Sequence, residues 1–303
     1  MLELLGVTQN GNYSLKFLSD GTKIRYTEDD EFIPDRPESM DILITKCCDM
    51  GCQYCHEAAT PDGKHGEILD VPFINSLKPY TELAIGGGNV LEHPDLIPFL
   101  QMCKEKKLIA NMTVNQEHFM KSKELLAKLC AEKLVYGLGV SLVYPTDEFL
   151  EAIKEFPNAV IHVIAGVVST TVLSKLYDKG LKLLILGYKQ FRKGKTYYKS
   201  SVDTQARIDC GINWLKENIK DIIRKFEVVS FDNLAIKQLN IQSIMDDKDW
   251  MEFYMGTDGQ FTMYVDTVNK QFSVSSTSKK RYDYTDETIE EMFAIVRKEV
   301  GFK

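Results

Sequence analysis

The chain has 303 residues, 44% of them apolar and 27% charged, with a formal net charge of -7. That is an ordinary globular composition with enough length for one large core or two modest ones. The acidic balance argues against nucleic acid as a partner, because phosphates demand a basic surface.

In chain order, Tyr13-Ser14-Leu15-Lys16-Phe17-Leu18 and Lys23-Ile24-Arg25-Tyr26 alternate in polarity around Asp20-Gly21, which predicts a hairpin. Residues 1–39 are therefore expected to form a small β-hairpin extension, punctuated by Pro34 and Pro37. From 40 to 200, strand and helix patterns alternate in units of roughly 25 to 35 residues, a rhythm that implies parallel strands. The strands are expected at 42–45, 82–85, 109–114, 136–142, 160–167 and 183–186. Several are nearly continuous in apolar residues, as when both sheet faces are covered. Helical stretches such as 96–102 and 125–129 space their apolar residues for one buried face.

Residues 201–303 are expected to be an α+β extension packing on the main domain. It opens with a helix at 212–226 and a strand at 227–234. A hairpin follows, with Thr257-Asp258-Gly259-Gln260 as its turn and Phe261–Val265 alternating after it. A last helix presents Ile289, Met292, Phe293 and Val296 on one face. No apolar run reaches membrane-spanning length, and Met1-Leu2-Glu3-Leu4-Leu5 lacks the basic stretch and long apolar core of a signal peptide. The expected setting is the reducing cytoplasm, with no membrane partner. Seven cysteines, an odd number, suit thiolate ligands better than a disulfide framework.

Three of those cysteines carry the chemistry. Cys48, Cys52 and Cys55 stand in a C-x3-C-x2-C spacing in the loop after the first main-domain strand, with Tyr54 before the third and Gly51 free to wrap the backbone. Three thiolates this close can hold three irons of a [4Fe-4S] cube and leave the fourth open to a small molecule. The second strand closes on Gly86-Gly87-Gly88-Asn89, a run that lets exposed backbone approach a ligand.

The cysteine loop after a strand, with its aromatic residue, resembles the radical S-adenosylmethionine (SAM) superfamily. The resemblance implies an α/β fold, a partial (β/α)6 barrel, carrying one [4Fe-4S] cluster on Cys48, Cys52 and Cys55. It also implies reductive cleavage of SAM and hydrogen abstraction from a peptide or small-molecule substrate. An external one-electron reductant of flavodoxin or ferredoxin type would be a partner. Gly86-Gly87-Gly88-Asn89 matches the family's Gly-Gly-Glu-Pro type segment, whose backbone receives the SAM ammonium, although Gly88 and Asn89 replace Glu and Pro. Thr113-Val114-Asn115 and Val140-Ser141-Leu142 resemble the third and fourth family strands, making Asn115 and Ser141 candidates for the SAM ribose and carboxylate. Gly166 is a candidate for close approach of the adenine, and Tyr188 for stacking on it or touching substrate. Auxiliary-cluster domains of the peptide-modifying members begin with a hairpin like that at Asp258-Gly259, but the last cysteine here is Cys210, so one cluster is expected.

Other readings stay open on the residues alone. Cys47-x4-Cys52-x2-Cys55 is the spacing of plant-type [2Fe-2S] ferredoxins, with Cys103, Cys130 or Cys210 as fourth ligand, and an iron-sulfur electron carrier without SAM chemistry is the alternative function. A closed zinc site completed by His56 or His65 is another. His162 reads as a buried, satisfied imidazole. His56-Glu57 and Lys64-His65 lie in the cysteine loop, where they face substrate or solvent. The basic stretch Lys189, Arg192, Lys193, Lys195 and Lys199 is a solvated loop or a grip for a substrate carboxylate or phosphate.

Overall fold

The computed structural model describes residues 3–302. The amino-terminal part is a three-stranded antiparallel sheet of β1 (Leu4–Asn10), β2 (Tyr13–Leu18) and β3 (Lys23–Tyr26). The turn at Asp20-Gly21 stands where the sequence puts it. A further strand, β1, precedes it, reached through Gly11 in the left-handed region at φ 58°. Tyr13, Leu15 and Phe17 of β2 share a small core with Phe261.

A polar knot fixes this sheet to the rest. Glu38 is 2% exposed. Its carboxylate accepts from the Tyr13 hydroxyl at 2.6 Å and from Arg25 Nε and Nη2 at 2.7 and 2.9 Å. The Arg25 guanidinium lies 3.9 Å from the centre of the Phe261 ring. A buried charge held by a bidentate partner is costly to orphan.

The main sheet has ten strands. β4 (Ser39–Thr45), β5 (Glu82–Gly87), β6 (Ile109–Asn115), β7 (Gly137–Ser141), β8 (Ala159–Ile164), β9 (Lys182–Leu186) and β10 (Val228–Phe231) follow one another in spatial order, all parallel. β11 (Thr262–Asp266) adds in parallel to the free edge of β4, and β12 (Gln271–Ser273) and β13 (Tyr282–Asp283) continue antiparallel. The sheet thus runs on past residue 200 at both edges. The six predicted main-domain strands are all present, each within a few residues of its expected bounds.

The strands alternate more than the sequence suggests. Met40, Ile42, Ile44, Leu83, Ile85, Met112, Val114, Val140, Ile161, Val163, Leu183 and Ile185 are buried in the main core. The residues between them, such as Asp41, Ala84, Thr113, Ser141 and His162, are only partly covered or exposed. One face is therefore buried and the other lines an open concavity, as period-two geometry requires.

That concavity is closed by curvature. At the usual strand spacing, β10 and β11 in a flat sheet would lie about 34 Å apart, seven intervals away. Asn233, two residues after β10, nevertheless donates to Asp258, four residues before β11, at 2.6 Å. Six extended residues reach only about 20 Å, so the sheet curls until its ends approach.

Three carboxy-terminal expectations are corrected. The helix predicted at 212–226 is Val202–Ile223, started by Ser201, whose hydroxyl accepts from Thr204 N at 3.0 Å. The strand predicted at 227–234 stops at Phe231. Asp232 there accepts from Ala235 N at 2.7 Å and caps the helix Asn233–Leu239. Asp258-Gly259 is not a hairpin turn, because the strand after it pairs in parallel with β4. The hairpin joins β11 to β12 through residues 267–270, with Lys270 at φ 53°.

Replacing Glu38 by Ala leaves Arg25 without its buried partner and is expected to lower unfolding stability by about 3 kcal/mol. The shift of the urea midpoint at constant slope measures it. A change within a few tenths of a kcal/mol would show that the knot holds nothing.

Candidate active site

The loop after β4 is closed at its neck. Cys48 N donates to Thr60 O at 2.9 Å, Thr60 N to Lys46 O at 3.0 Å and Gly66 N to Ile44 O at 2.8 Å. Cys48, Cys52 and Cys55 lie in the excursion above that neck, all half-buried with free thiols. Gly51 turns the chain at φ 62° with open space around its α-carbon, and Cys55 N donates to Cys52 O at 3.3 Å. Burial raises the Cys48 and Cys52 thiols, and each is raised further by its neighbours. A ligand that stabilises thiolates would repay that cost.

Cys47 points elsewhere. Its Sγ is 3.2 Å from both the Pro61 carbonyl and Glu92 Oε2, as expected of a residue next to Cys48 on extended chain. The nearby histidine has its own partners. His65 Nδ1 is 2.9 Å from Thr45 Oγ1, and its ring packs edge-on to His93 at 5.1 Å. Among the described residues, no three His, Cys, Asp or Glu side chains converge closely enough to hold a single ion.

The glycines after β5 divide their work. Gly88 N donates to Thr45 O and Asn89 N to Cys47 O, both at 2.7 Å. A Cβ on Gly87 would collide with the Thr45 carbonyl oxygen, and one on Gly88 with that of Cys47. These two glycines let β5 lie against the root of the cysteine loop. Gly86 has open space where a Cβ would go, and it faces the concavity beside Leu43. Asn89 is buried, with its side chain spent on Leu91 N and Glu92.

Asn115 and Ser141 pair across β6 and β7, and Ser141 pairs with His162 of β8, so three polar groups share one rung. Asn115 Oδ1 also accepts from Glu117 N at 2.9 Å, capping the helix Gln116–Lys121. His162 faces the concavity half-buried, with the space left by Gly139 beside its ring, and burial pulls it down to about 4. The imidazole is therefore neutral near pH 7. Among the described residues no hydrogen bond satisfies the ring, contrary to the sequence reading.

Two candidates serve packing. Gly166, at φ 77°, lies against Gly211 and Ile208, so its close approach is taken by the helix Val202–Ile223. Tyr188 is 2% exposed, and its hydroxyl donates to Gly194 O at 2.8 Å. Tyr54 sits under the same segment, its ring 6.1 Å from that of Tyr197.

Sequence reading missed a dense polar network. Glu57, 6% exposed, accepts from Arg192 Nη1 at 2.7 Å and from the Tyr264 hydroxyl at 3.1 Å. Lys193 Nζ donates to Ala59 O at 2.8 Å, and Lys189 Nζ to Ser276 Oγ at 3.0 Å. The inner part of the basic stretch is thus turned inward onto the cysteine loop. Burial opposes charge on Glu57, but His56, Arg192 and Lys189 outweigh it and hold the carboxyl down at about 2. Asp41 is different. It is exposed to the concavity yet faces protein across it, and desolvation lifts its carboxyl to about 6, with Lys189 opposing and Asp258, Asp232 and Glu57 assisting.

No protein-family model and no curated protein matches the chain. Among solved structures, SuiB of Streptococcus suis bound to S-adenosylmethionine aligns at TM-score 0.57 and 13% identity over 86% of this chain and 66% of SuiB. SuiB bound to its precursor peptide SuiA aligns at 0.55 and 14%, over 86% and 65%. anSMEcpe with bound AdoMet and the Kp18Cys peptide aligns at 0.53 and 13%, over 87% and 82%. The chain shares the fold of SuiB and anSMEcpe. It spans just under two thirds of the length of SuiB.

Two outcomes are expected from the site. Gly88→Ala drives a methyl into the Cys47 carbonyl and should cost about 1 to 3 kcal/mol, read as a lowered denaturation midpoint, whereas Gly86→Ala should leave the midpoint unchanged. Asp41 binds its proton more tightly folded than unfolded, so its contribution is intact below pH 3.8 and lost as pH rises through about 6. Asp41→Asn should therefore raise the melting temperature at pH 7.5 but not at pH 3.5, and equal shifts at both would refute the assignment.

Proposed function

We propose that the chain is a radical SAM enzyme acting on a peptide, with one [4Fe-4S] cluster on Cys48, Cys52 and Cys55. The observation that carries this reading is the closed loop bearing three free, half-buried thiols, its root packed against Gly87 and Gly88, in a chain with this fold. Held by those three thiolates, such a cluster would supply the electron for reductive cleavage of SAM and so for hydrogen abstraction from substrate. An external reductant of flavodoxin or ferredoxin type would provide the electron.

The chain's own residues bind and orient. The curled array is read as a partial (β/α)6 barrel spanning 40–200, flanked by the 1–39 sheet and by a 201–303 extension whose β10 and β11 continue the sheet at its two edges. Gly86 leaves room for the SAM methionine against the β5 backbone. Asn115 and Ser141, adjacent on one rung, offer hydrogen bonds to its ribose and carboxylate. Tyr54 is shielded by Tyr197 and keeps water from the cysteine loop. Gly166 and Tyr188 shape the wall from behind. The peptide reading is supported by the peptides bound to SuiB and anSMEcpe. Asp41 and His162 then face the substrate.

Anaerobic reconstitution with iron and sulfide is expected to give about four irons per chain, with near-complete loss in Cys48→Ala, Cys52→Ala and Cys55→Ala but not Cys47→Ala. SAM should perturb the EPR signal of the reduced protein and be converted to methionine and 5'-deoxyadenosine. A cluster indifferent to SAM would instead mark an electron carrier, and bound zinc would end the proposal.

A further inference from the structure

Arg192 stands in a conformation that its residue type disfavours. Its backbone is at φ 46° and ψ -124°, the first central position of a type II′ turn, which glycine normally fills. No neighbouring glycine takes the strain, although Gly194 lies two residues on. Strain at a non-glycine residue persists only where surrounding contacts over-determine it. Here the contacts are those of the guanidinium. Nη1 donates to Glu57 Oε2 at 2.7 Å and to the Glu57 carbonyl at 3.1 Å, and the side chain is 26% exposed against 6% for its partner.

Glu57 is two residues after Cys55, on the same turn, where Ala58 N donates to Cys55 O at 3.2 Å. Its other carboxylate oxygen accepts from Tyr264 on β11. The opposite flank of the loop is held as well. Asp49, next to Cys48, has Oδ1 2.7 Å from Nε2 of buried His118 on the helix Gln116–Lys121. Three separate parts of the fold, after β6, after β9 and on β11, thus hold the excursion at both ends.

We propose that Glu57 and Arg192 are positioning residues that set the Cys55 side of the thiol triad, so that the 188–199 segment is a brace for the metal-binding loop. This rests on the assignment of Cys48, Cys52 and Cys55 as cluster ligands. Ligand-supporting partners of this kind typically contribute 10- to 100-fold to metal affinity. Removing both charges in Glu57→Gln/Arg192→Gly makes the role separable from folding, because no buried charge is then left unpaired and the turn is relieved. Arg192→Gly relieves the turn while removing the guanidinium, and Arg192→Lys keeps a charge at the same place.

The test compares wild type, Arg192→Gly, Arg192→Lys, Glu57→Gln and the Glu57→Gln/Arg192→Gly pair. Each is reconstituted anaerobically with iron(II) and sulfide, and each is read two ways: the rate of iron release to a strong chelator, and the melting temperature of the metal-free chain. Arg192→Gly should release iron about tenfold faster or more, and it should also melt lower, because it leaves the buried Glu57 carboxylate without its cation. The double variant, which removes both charges, should recover the melting temperature but not the retention. Arg192→Lys should recover part of the retention. The double variant should release no faster than the faster single variant, because both substitutions break one interaction. Release at the wild-type rate in Arg192→Gly, additive effects in the double variant, or a double variant that regains retention together with its melting temperature would each overturn the proposal. If wild type itself retains no iron, the ligand assignment fails and takes the brace with it. If wild type retains iron and the variants match it, the brace alone fails.

Discussion

Curvature is the constraint on which everything else depends. Eight parallel strands laid flat would leave the loop after β4 and the segment after β9 about 24 Å apart, five strand intervals. The fold removes that distance, and Glu57 meets Arg192 across it. Helices buried against one face, and small or polar residues on the other, make that bend natural. Gly137 and Gly139 line the inner face of β7, where a Cβ would run into the Asn111 side chain and the His162 ring. The cysteine loop is therefore walled on one side by residues that follow it closely in sequence and on the other by residues more than a hundred positions later.

The strand–helix rhythm was legible because each main-domain strand carries its own buried row. Met40, Ile42 and Ile44, or Leu183 and Ile185, declare themselves without reference to any partner. The thiol spacing was legible for the same reason, being a local pattern in a single loop. What sequence reading could not supply was pairing at a distance. Asp258-Gly259 has the composition of a turn, but β11 is recruited to β4 instead, and the true hairpin uses 267–270, where Lys270 takes the positive φ without a glycine to advertise it. Asp232 was absorbed into a predicted strand although Asp is a strong capping residue, and that signal was available.

The basic stretch after β9 shows the limit most clearly. Five cations in eleven residues read as a solvated surface, since charge density alone carries no direction. Their direction comes from Gly194, which packs against Lys189 and lies near the Tyr54 carbonyl, and from Tyr188, whose hydroxyl reaches back to Gly194. Likewise the substitution of Gly88-Asn89 for a family carboxylate looked like a loss in the ligand site. In the fold, Gly88 is set by contact with the Cys47 carbonyl, and the Asn89 side chain is occupied by its own turn, so both residues answer to the loop root.

The neck of the cysteine loop has a separate consequence for how such a chain can diversify. Residues 44–48 are bridged directly to 60 and 64–66, so the twelve positions between Cys47 and Thr60 are insulated from the sheet register. Lengthening or reshaping the span between Cys55 and Thr60 would leave β4 in place, while a single-residue deletion within β4 would flip Asp41 to the helix-covered side and reverse every alternate position after it. Changes of length above the bridges leave the sheet register intact provided that the thiols and Glu57 keep their partners, whereas changes below them do not.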